Sequence, residues 1–161
     1  MLWQPNIRSK GSQEQIFCDW RHKWVRLTPE EKVRQWFLHY LTEDLCYPKN
    51  LIAVEHPIEV GELKKRCDAV VMSNELQPLC IIEFKAGHVP LEQRVFDQVA
   101  VYNRRLGVKY LFISNGNETY AISVGNKGYT FLNQIPDYEQ MKRKANKPGI
   151  STDTIIGSLS K

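Results

Sequence analysis

The sequence predicts an α/β fold: a mixed central β-sheet flanked by helices, in the order αβββαβ, with extra strands toward the C-terminus. Three observations predict it. A capped amphipathic helix signal starts at Thr28, three apolar extended segments joined by short turns follow it, and a second helical segment precedes a fourth apolar strand. A helix between two apolar strands of one sheet calls for a right-handed crossover, hence a mixed sheet with helices on its faces.

The elements follow in order. Residues 1–15 are polar, lack a clear period and read as an N-terminal arm. Segments 16–19 and 24–27 read as short strands around the turn-like DWRHK. In LTPEEKVRQWFLHYLTEDL, Thr28 fits the N-cap, Pro29 the first helical position and Glu31 the reciprocal partner of a capping box. Val33, Trp36, Phe37, Tyr40 and Leu41 then recur at helical spacing as one apolar stripe.

Extended segments are expected at 51–60, 66–72 and 79–85, broken at Gly61-Glu62 and at 73–78. CDAVVM and LCIIEF are rich in β-branched residues and almost continuously apolar, as befits strands covered on both faces. After a break at 87–90, a helix over 91–106 places Val95, Val99 and Tyr102 on one side. KYLFIS is a further strand, closed by Asn115-Gly116-Asn117 as turn formers, and 118–124 with 128–132 are expected to form a final hairpin or meander. The domain should therefore span 16–136. The remainder, 137–161, reads as a basic tail that begins as a helical MKRKANK stretch and ends in a loose Ser/Gly/Thr-rich run.

Composition bounds the function classes. The chain has 161 residues, 42% of them hydrophobic and 25% charged, which suits one packed, soluble domain. A net charge of +4 permits a polyanionic partner without requiring one. Cys18, Cys46, Cys67 and Cys80 form no CxxC pair, and His22, His39, His56 and His88 are equally scattered, so a zinc site is not expected; three of the cysteines have apolar or aromatic neighbours, so buried free thiols are expected. MLWQPNIRSK lacks the apolar core of a signal peptide, and no segment approaches a membrane span. A cytoplasmic protein is expected. No GxxxxGK[ST] phosphate loop is present, which argues against a nucleotide-phosphate enzyme and leaves no ATP-driven motor within this chain.

Three charges stand out. Asp68 interrupts the apolar CDAVV, and Glu83 and Lys85 interrupt IIEFK. Such burial is costly without a partner or a function. The strand period of two puts Glu83 and Lys85 on one face, and Asp68 belongs to what would be the neighbouring strand. Converging carboxylates repel unless a cation sits between them, and hard oxygen ligands favour Mg²⁺ or Mn²⁺. Such a metal polarises a phosphoryl oxygen and acidifies water, Lys85 would position water or steady phosphate charge, and the Phe84 carbonyl is a further candidate ligand. The alternative is a structural ion-pair cluster at a sheet edge; spacing, apolar flanks and the following helix favour the metal site.

Asp68, a gap of fourteen residues, then Glu83-Phe84-Lys85 within strand–turn–strand resembles the signature of the PD-(D/E)XK nuclease superfamily. The downstream Gln98-Val-Ala-Val-Tyr102 is similar to the QxxxY motif of one of its branches and of type I restriction subunits. LTPEEKVRQ, YPKNLIAVE, KRCDAVV, IIEFKA, DQVAVYN and YLFISNG, over about 15–125, together resemble the N-terminal nuclease domain of type I restriction enzyme R proteins in compact form. The resemblance implies a restriction-endonuclease-like core, metal binding by Asp68 and Glu83, a water-directed role for Lys85 and support from Gln98. It implies DNA as partner, with motor and specificity subunits or a second copy of the chain besides. It also implies an acidic residue from the first helix, Glu30 or Glu31, near the metal. Cys67 stands where the family name has proline.

The remaining candidates have competing explanations. Glu31 is accounted for by the capping box, Glu55 by facing solvent, and Tyr102 by core packing with a hydrogen-bonded hydroxyl. Arg94, Arg104, Arg105, Lys109 and the Lys142-Arg143-Lys144 cluster are candidate phosphate contacts, each also explained as a solvated charge. Trp20 and Trp24, beside Arg21, His22 and Lys23, are candidates for base stacking or for core anchoring. The expected activity is a Mg²⁺-dependent DNA nuclease, acting as an endonuclease; the alternative is a non-catalytic DNA-binding or partner-docking module that keeps the fold.

Overall fold

The computed structural model describes residues 1–145. Thr28 caps helix α1 (Pro29–Glu43), its Oγ1 accepting the Glu31 N–H at 3.0 Å. The reciprocal half of the expected capping box is not made. The Thr28 N–H donates to the Arg26 carbonyl, while the Glu31 side chain turns to Arg21, Arg34 and Gln35. Guanidinium partners outcompete one amide for a carboxylate because both members of the pair are charged. The face that α1 buries carries Val33, Phe37, Leu38 and Leu41. Trp36, expected in that stripe, is instead 38% exposed and stacks on half-buried Tyr40.

Six strands form the main sheet: β4 (Ile52–Val60), β5 (Leu63–Met72), β6 (Pro78–Phe84), β7 (Tyr110–Ser114), β8 (Thr119–Gly125) and β9 (Gly128–Leu132), ordered as in the sequence. Every neighbouring pair is antiparallel except β6–β7. Helix α2 (Gln93–Leu106) makes the crossover between those two, as the sequence predicts. The β4–β5 turn is Gly61-Glu62, with Gly61 at φ +62°, a left-handed conformation that glycine adopts without steric cost.

Alternation along the central strands feeds two cores. Ala69, Val71, Cys80, Ile82, Phe84, Tyr110 and Phe112 meet α1 and the C-terminal helix α3 (Tyr138–Ala145). Val70, Ile81, Leu111, Ile113 and Ile122 meet Val95, Val99 and Tyr102 of α2. Strand β6 is buried from Leu79 through Phe84, so its one charge, Glu83, lies between two packed layers. Cys18, Cys67 and Cys80 are buried free thiols, and Cys46 is exposed.

Before α1 stands a second sheet of three antiparallel strands, β1 (Ile7–Lys10), β2 (Gln13–Cys18) and β3 (Lys23–Arg26). The expected segments at 16–19 and 24–27 correspond to parts of β2 and β3. Strand β1 and the start of β2 fall within residues 1–15, which show no period because residues 7–14 are exposed throughout and no face is apolar. At the other end, α3 is more than a loose tail. Tyr138 and Met141 join the α1-side core, and the Tyr138 hydroxyl donates to the Met72 carbonyl at 3.0 Å. The Ser/Gly/Thr-rich run expected to be loose lies outside the described residues.

Candidate metal and nuclease site

The site lies where the sheet opens. Strands β5 and β6 pair as far as Ala69↔Ile82 and then part, leaving Asp68 and Glu83 one position beyond the last rung. The β4–β5 ladder also lacks the rung between Glu55 and Asp68, although Val54↔Ala69 and His56↔Cys67 are intact on either side. Glu55 has φ +53°, a left-handed conformation that strains a residue bearing a Cβ.

Asp68 takes over the hydrogen bonding that the parted strands give up. Its Oδ2 accepts the Phe84 N–H at 2.7 Å, and its Oδ1 accepts from Arg34 Nη2 at 3.1 Å. Arg34 Nη1 donates to Glu31 Oε2 at 3.1 Å, and Gln35 Nε2 to Glu31 Oε1 at 2.8 Å. Arg21, from the β2–β3 turn, pairs with that same Glu31 oxygen and comes within 3.5 Å of Glu55 Oε1. Glu31 is thus buried one link away from Asp68, through Arg34. Glu55, with 39% of its side chain exposed, borders the cluster. Burial, followed by Asp68 repulsion, raises the Glu30 carboxyl above its ordinary value.

The second half of the site hangs from β6 and α2. Glu83 is 3% exposed. Its Oε1 accepts from Gln98 Nε2 at 2.7 Å and from Lys85 Nζ at 3.2 Å, while Lys85 Nζ also reaches Gln98 Oε1 at 3.5 Å. Gln98 Nε2 donates to the Tyr102 hydroxyl at 3.1 Å, one helical turn on. Glu83 Oε2 is buried with no hydrogen-bond partner among the described residues. Burial and the neighbouring Asp68 push the Glu83 carboxyl up to about 7, against the pull of Lys85. Burial raises Asp68 too, opposed by the Phe84 N–H and Arg34. Cys67, in the position of the family's proline, is an inert thiol, pushed up to about 12 by burial and by Glu83 and Asp68.

These donors suit a hard divalent cation. They comprise two carboxylates, one with a buried oxygen that has no partner among the described residues, and a main-chain carbonyl candidate at Phe84 between Glu83 and Lys85. Among the described residues no three His, Cys, Asp or Glu side chains gather at one point, so water would complete any such shell.

The other candidates separate by position. Arg94 lines a cleft of about 350 Å³ together with Lys85, Val89, Val95 and Gln98. Arg104 and Arg105 lie in the last turn of α2, and the Lys109 N–H donates to the Leu79 carbonyl. Because β6 and β7 are parallel with Cys80 opposite Tyr110, all three lie at the end of the sheet away from Glu83 and Lys85. Composition alone does not reveal on which end a cation falls. Lys142 pairs with Glu139 at 2.7 Å near Ser73 and Leu79, again away from the site. Trp20 packs against the α1-side core, whereas half-buried Trp24 sits on the N-terminal sheet.

The places of Arg34, Arg21 and Asn115 around the site emerge only from the structure. A signal for Arg34 was present: Glu31, Arg34, Gln35 and Leu38 fall at i, i+3, i+4 and i+7, a polar run on an inward helical face. Asn115, read as a turn former, also donates from Nδ2 to the Val89 carbonyl at 2.9 Å, and Asn117 Nδ2 donates to Gly87 O at 2.9 Å. The β7–β8 turn thereby holds the loop that follows Lys85.

Residues 29–136 match the family described as the type I restriction enzyme R protein N terminus (HSDR_N). The chain belongs to that family. The fold agrees: a fragment structure from Vibrio vulnificus YJ016, described as an HsdR subunit of a type I restriction enzyme, superposes with a TM-score of 0.58 at 17% identity. The match covers 74% of this chain and 25% of that one, so this R protein N-terminal domain spans about a quarter of the structure it resembles. No curated protein matches the chain. Among the described residues, no helix of this family member is long and apolar enough to cross a membrane.

Proposed function

We propose that this R-protein N-terminal domain is a divalent-metal-dependent nuclease of the PD-(D/E)XK type, acting on DNA as an endonuclease. The observation that carries the reading is Glu83: a carboxylate 3% exposed, with one oxygen lacking a partner among the described residues, fixed beside Lys85 and Gln98 and, like Asp68, one position past the last rung of the parted strands. Asp68, Glu83 and the Phe84 carbonyl would hold Mg²⁺ or Mn²⁺. When bound, that ion supplies charge neutralisation at the phosphate and acidifies water for attack.

The chain's own residues set up the rest. Gln98 holds the Glu83 carboxylate and, through its carbonyl, approaches the Lys85 amine, so one residue of α2 positions both the one charge of β6 and the lysine just after it. Lys85 presents its Nζ beside Glu83 and at the wall of the cleft, where it would orient water or steady charge on a phosphate oxygen. Arg34 counters the charge of Asp68 from the α1 side. Hydrolysis joins a water oxygen to phosphorus and breaks one P–O ester bond, the leaving alkoxide being protonated. DNA is the proposed substrate, with motor and specificity subunits or a second copy as partners, in the cytoplasm.

A second reading has its own support. Both Asp68 oxygens already have partners, which also suits a DNA-binding or partner-docking module that keeps the fold without cleavage. Incubation with plasmid and linear DNA plus Mg²⁺ or Mn²⁺, alongside Glu83→Ala and Lys85→Ala, separates the two. Cleavage that vanishes in both variants supports the nuclease; DNA binding without cleavage under every metal supports the module.

A further inference from the structure

The N-terminal sheet has one face without a structural explanation. Its inner face carries Ile16 and Cys18, both fully buried, and so ties the sheet to the body of the protein. Cross-strand register puts Arg8, Gln15 and Arg26 in one row, with Lys10 and Gln13 on one side of it and Phe17 and Trp24 on the other, all on the opposite face. Arg8, Lys10, Gln13 and Arg26 are exposed, while Phe17 and Trp24 are half-buried and belong to neither core. The Arg8 guanidinium lies 4.2 Å from the Trp24 ring centroid, its Nε donates to Gln15 Oε1 at 2.9 Å, and Phe17 meets Trp24 edge-on at 5.5 Å. Among the described residues no carboxylate of these strands shares the face: Glu14, opposite Ser9, is on the other side.

Three cations, two amides and a supported indole on a sheet surface form an arrangement suited to a nucleic-acid strand. Cations neutralise phosphates, and aromatic rings accept bases of any sequence. The sheet is also tethered to the candidate site. Arg21, between β2 and β3, pairs with Glu31 and Glu55, which border Asp68 through Arg34 and the open β4–β5 rung. Residues 7–26 lie before the family match at 29–136, so this face adds to the matched domain.

We infer that the outer face of the β1–β3 sheet is a binding site for single-stranded DNA, with Arg8, Lys10 and Arg26 taking backbone phosphates and Trp24 stacking an unpaired base. The inference deepens the nuclease reading and rests on it for the choice of DNA over RNA. The site would extend the substrate path from the parted strands β5 and β6 onto a surface that reads no sequence.

The test is anisotropy titration of the full chain with a fluorescein-labelled single-stranded DNA of mixed sequence, in EDTA so that nothing is cut. Arg8→Glu/Arg26→Glu is compared with Arg104→Glu/Arg105→Glu, which changes net charge equally at the far end of α2. The first pair should weaken binding at least about tenfold and shrink the slope of log K against log salt by roughly 1.4, two phosphates' worth. The second pair should change binding less than twofold or so on the same scale. Trp24→Leu should weaken binding with the salt slope retained, since stacking releases no counterions. Unchanged melting curves exclude unfolding as the cause. Equal weakening by both charge pairs, tighter binding to the matching duplex, or no loss on Arg8→Glu/Arg26→Glu overturns the inference. Because metal is withheld, a face that binds while the chain never cleaves refutes only the nuclease reading. Cleavage with binding indifferent to Arg8 and Arg26 refutes only the face.

Discussion

Asp68 Oδ2 accepts the main-chain N–H of Phe84 at 2.7 Å, and by that bond a side chain bridges two strands where their backbone ladder has ended. The carboxylate therefore has two functions: a metal ligand in the proposed chemistry and a structural acceptor in the fold. Asp68→Asn keeps an acceptor for Phe84, whereas Asp68→Ala leaves a part-buried amide and Arg34 short of a partner. Removing one hydrogen-bond partner in this way costs about 1–3 kcal/mol. Both variants should lose metal-dependent cleavage, and urea unfolding should find the alanine variant the less stable. Equal stability would detach the fold from this bond.

Arg34 links Asp68 to Glu31, with its side chain only 6% exposed. Arg34→Met keeps most of the volume and deletes the charge, leaving Glu31 with Arg21 and Gln35, and Asp68 with only the Phe84 amide. Breaking a buried pair from one side typically costs about 3–5 kcal/mol, because the remaining charge stays desolvated. Arg34→Met/Glu31→Gln should recover part of that loss in chemical denaturation. If the double variant is no more stable than the single one, the Glu31–Arg34 link is not what holds the α1 end of the site.

How much of this could be read from residues alone divides along a physical line. Helix α1, the four apolar strands and the crossover were legible because capping and periodicity are local, and Asp68, Glu83, Lys85 and Gln98 stood out as charges or amides in apolar surroundings. Strand β1 was not, since exposure on both faces erases alternation. The fate of Glu31 was not either. Local spacing fits a capping box, but the competing cation, Arg21, arrives from another sheet. Nor does spacing say that Arg104, Arg105 and Lys109 fall at the far end of the β6–β7 pair, which depends on strand direction.

That geometry separates the cations of α2 by position. Arg94, at the N-terminal end of the helix, is on the wall of the cleft that Lys85 and Gln98 line, whereas Arg104 and Arg105 are about three turns away along the helix. Arg94→Glu should lower metal-dependent DNA cleavage about tenfold or more, the effect of a reversed phosphate contact. Arg104→Glu/Arg105→Glu should leave the rate near that of the unaltered protein. Gel-based initial rates at fixed salt decide it, and the reverse order would place the substrate at the other end of the sheet.

Stability against pH reports on Glu83. Its carboxyl is pushed up to about 7 from an ordinary value near 4.5 by burial and by Asp68, so the folded state binds more protons than the unfolded state between those values. Stability attributable to Glu83 is therefore fully present below about 4.5 and is lost as pH rises through about 7. Burial lowers His39 below its ordinary 6.5, which works in the opposite direction: that contribution is present above 6.5 and lost as pH falls. The difference between the unaltered protein and Glu83→Gln isolates the first effect. In metal-free buffer, Glu83→Gln should gain relative Tm steadily from pH 5 to pH 8. Added Mg²⁺ should raise the Tm of the unaltered protein more at pH 8 than at pH 6, and leave Glu83→Gln unmoved at both. A Mg²⁺ shift independent of pH would argue that Glu83 is not the ligand.

The loop after Lys85 depends on the turn after β7. Asn115 is 4% exposed; its Nδ2 donates to the Val89 carbonyl, and its Oδ1 accepts the N–H groups of Asn117 and Glu118 at 2.9 and 2.8 Å. Beside it Gly116 has φ +87°, and a Cβ there would meet Val33 Cγ2 at 3.3 Å. Gly116→Ala should therefore destabilise by about 1 kcal/mol or more from backbone strain and crowding against α1. Asn115→Ala should cost about 1–3 kcal/mol through the unpaired Val89 carbonyl and turn amides. The informative variant is Asn115→Asp. It keeps the Oδ1 acceptor for both turn amides but faces Val89 with an acceptor instead of a donor, so the turn should survive while its hold on the loop carrying on from Lys85 is released. Cleavage should then fall further than stability does. A Tm loss as large as that of Asn115→Ala, with activity of the folded fraction intact, would show that the turn supports the fold without positioning the site.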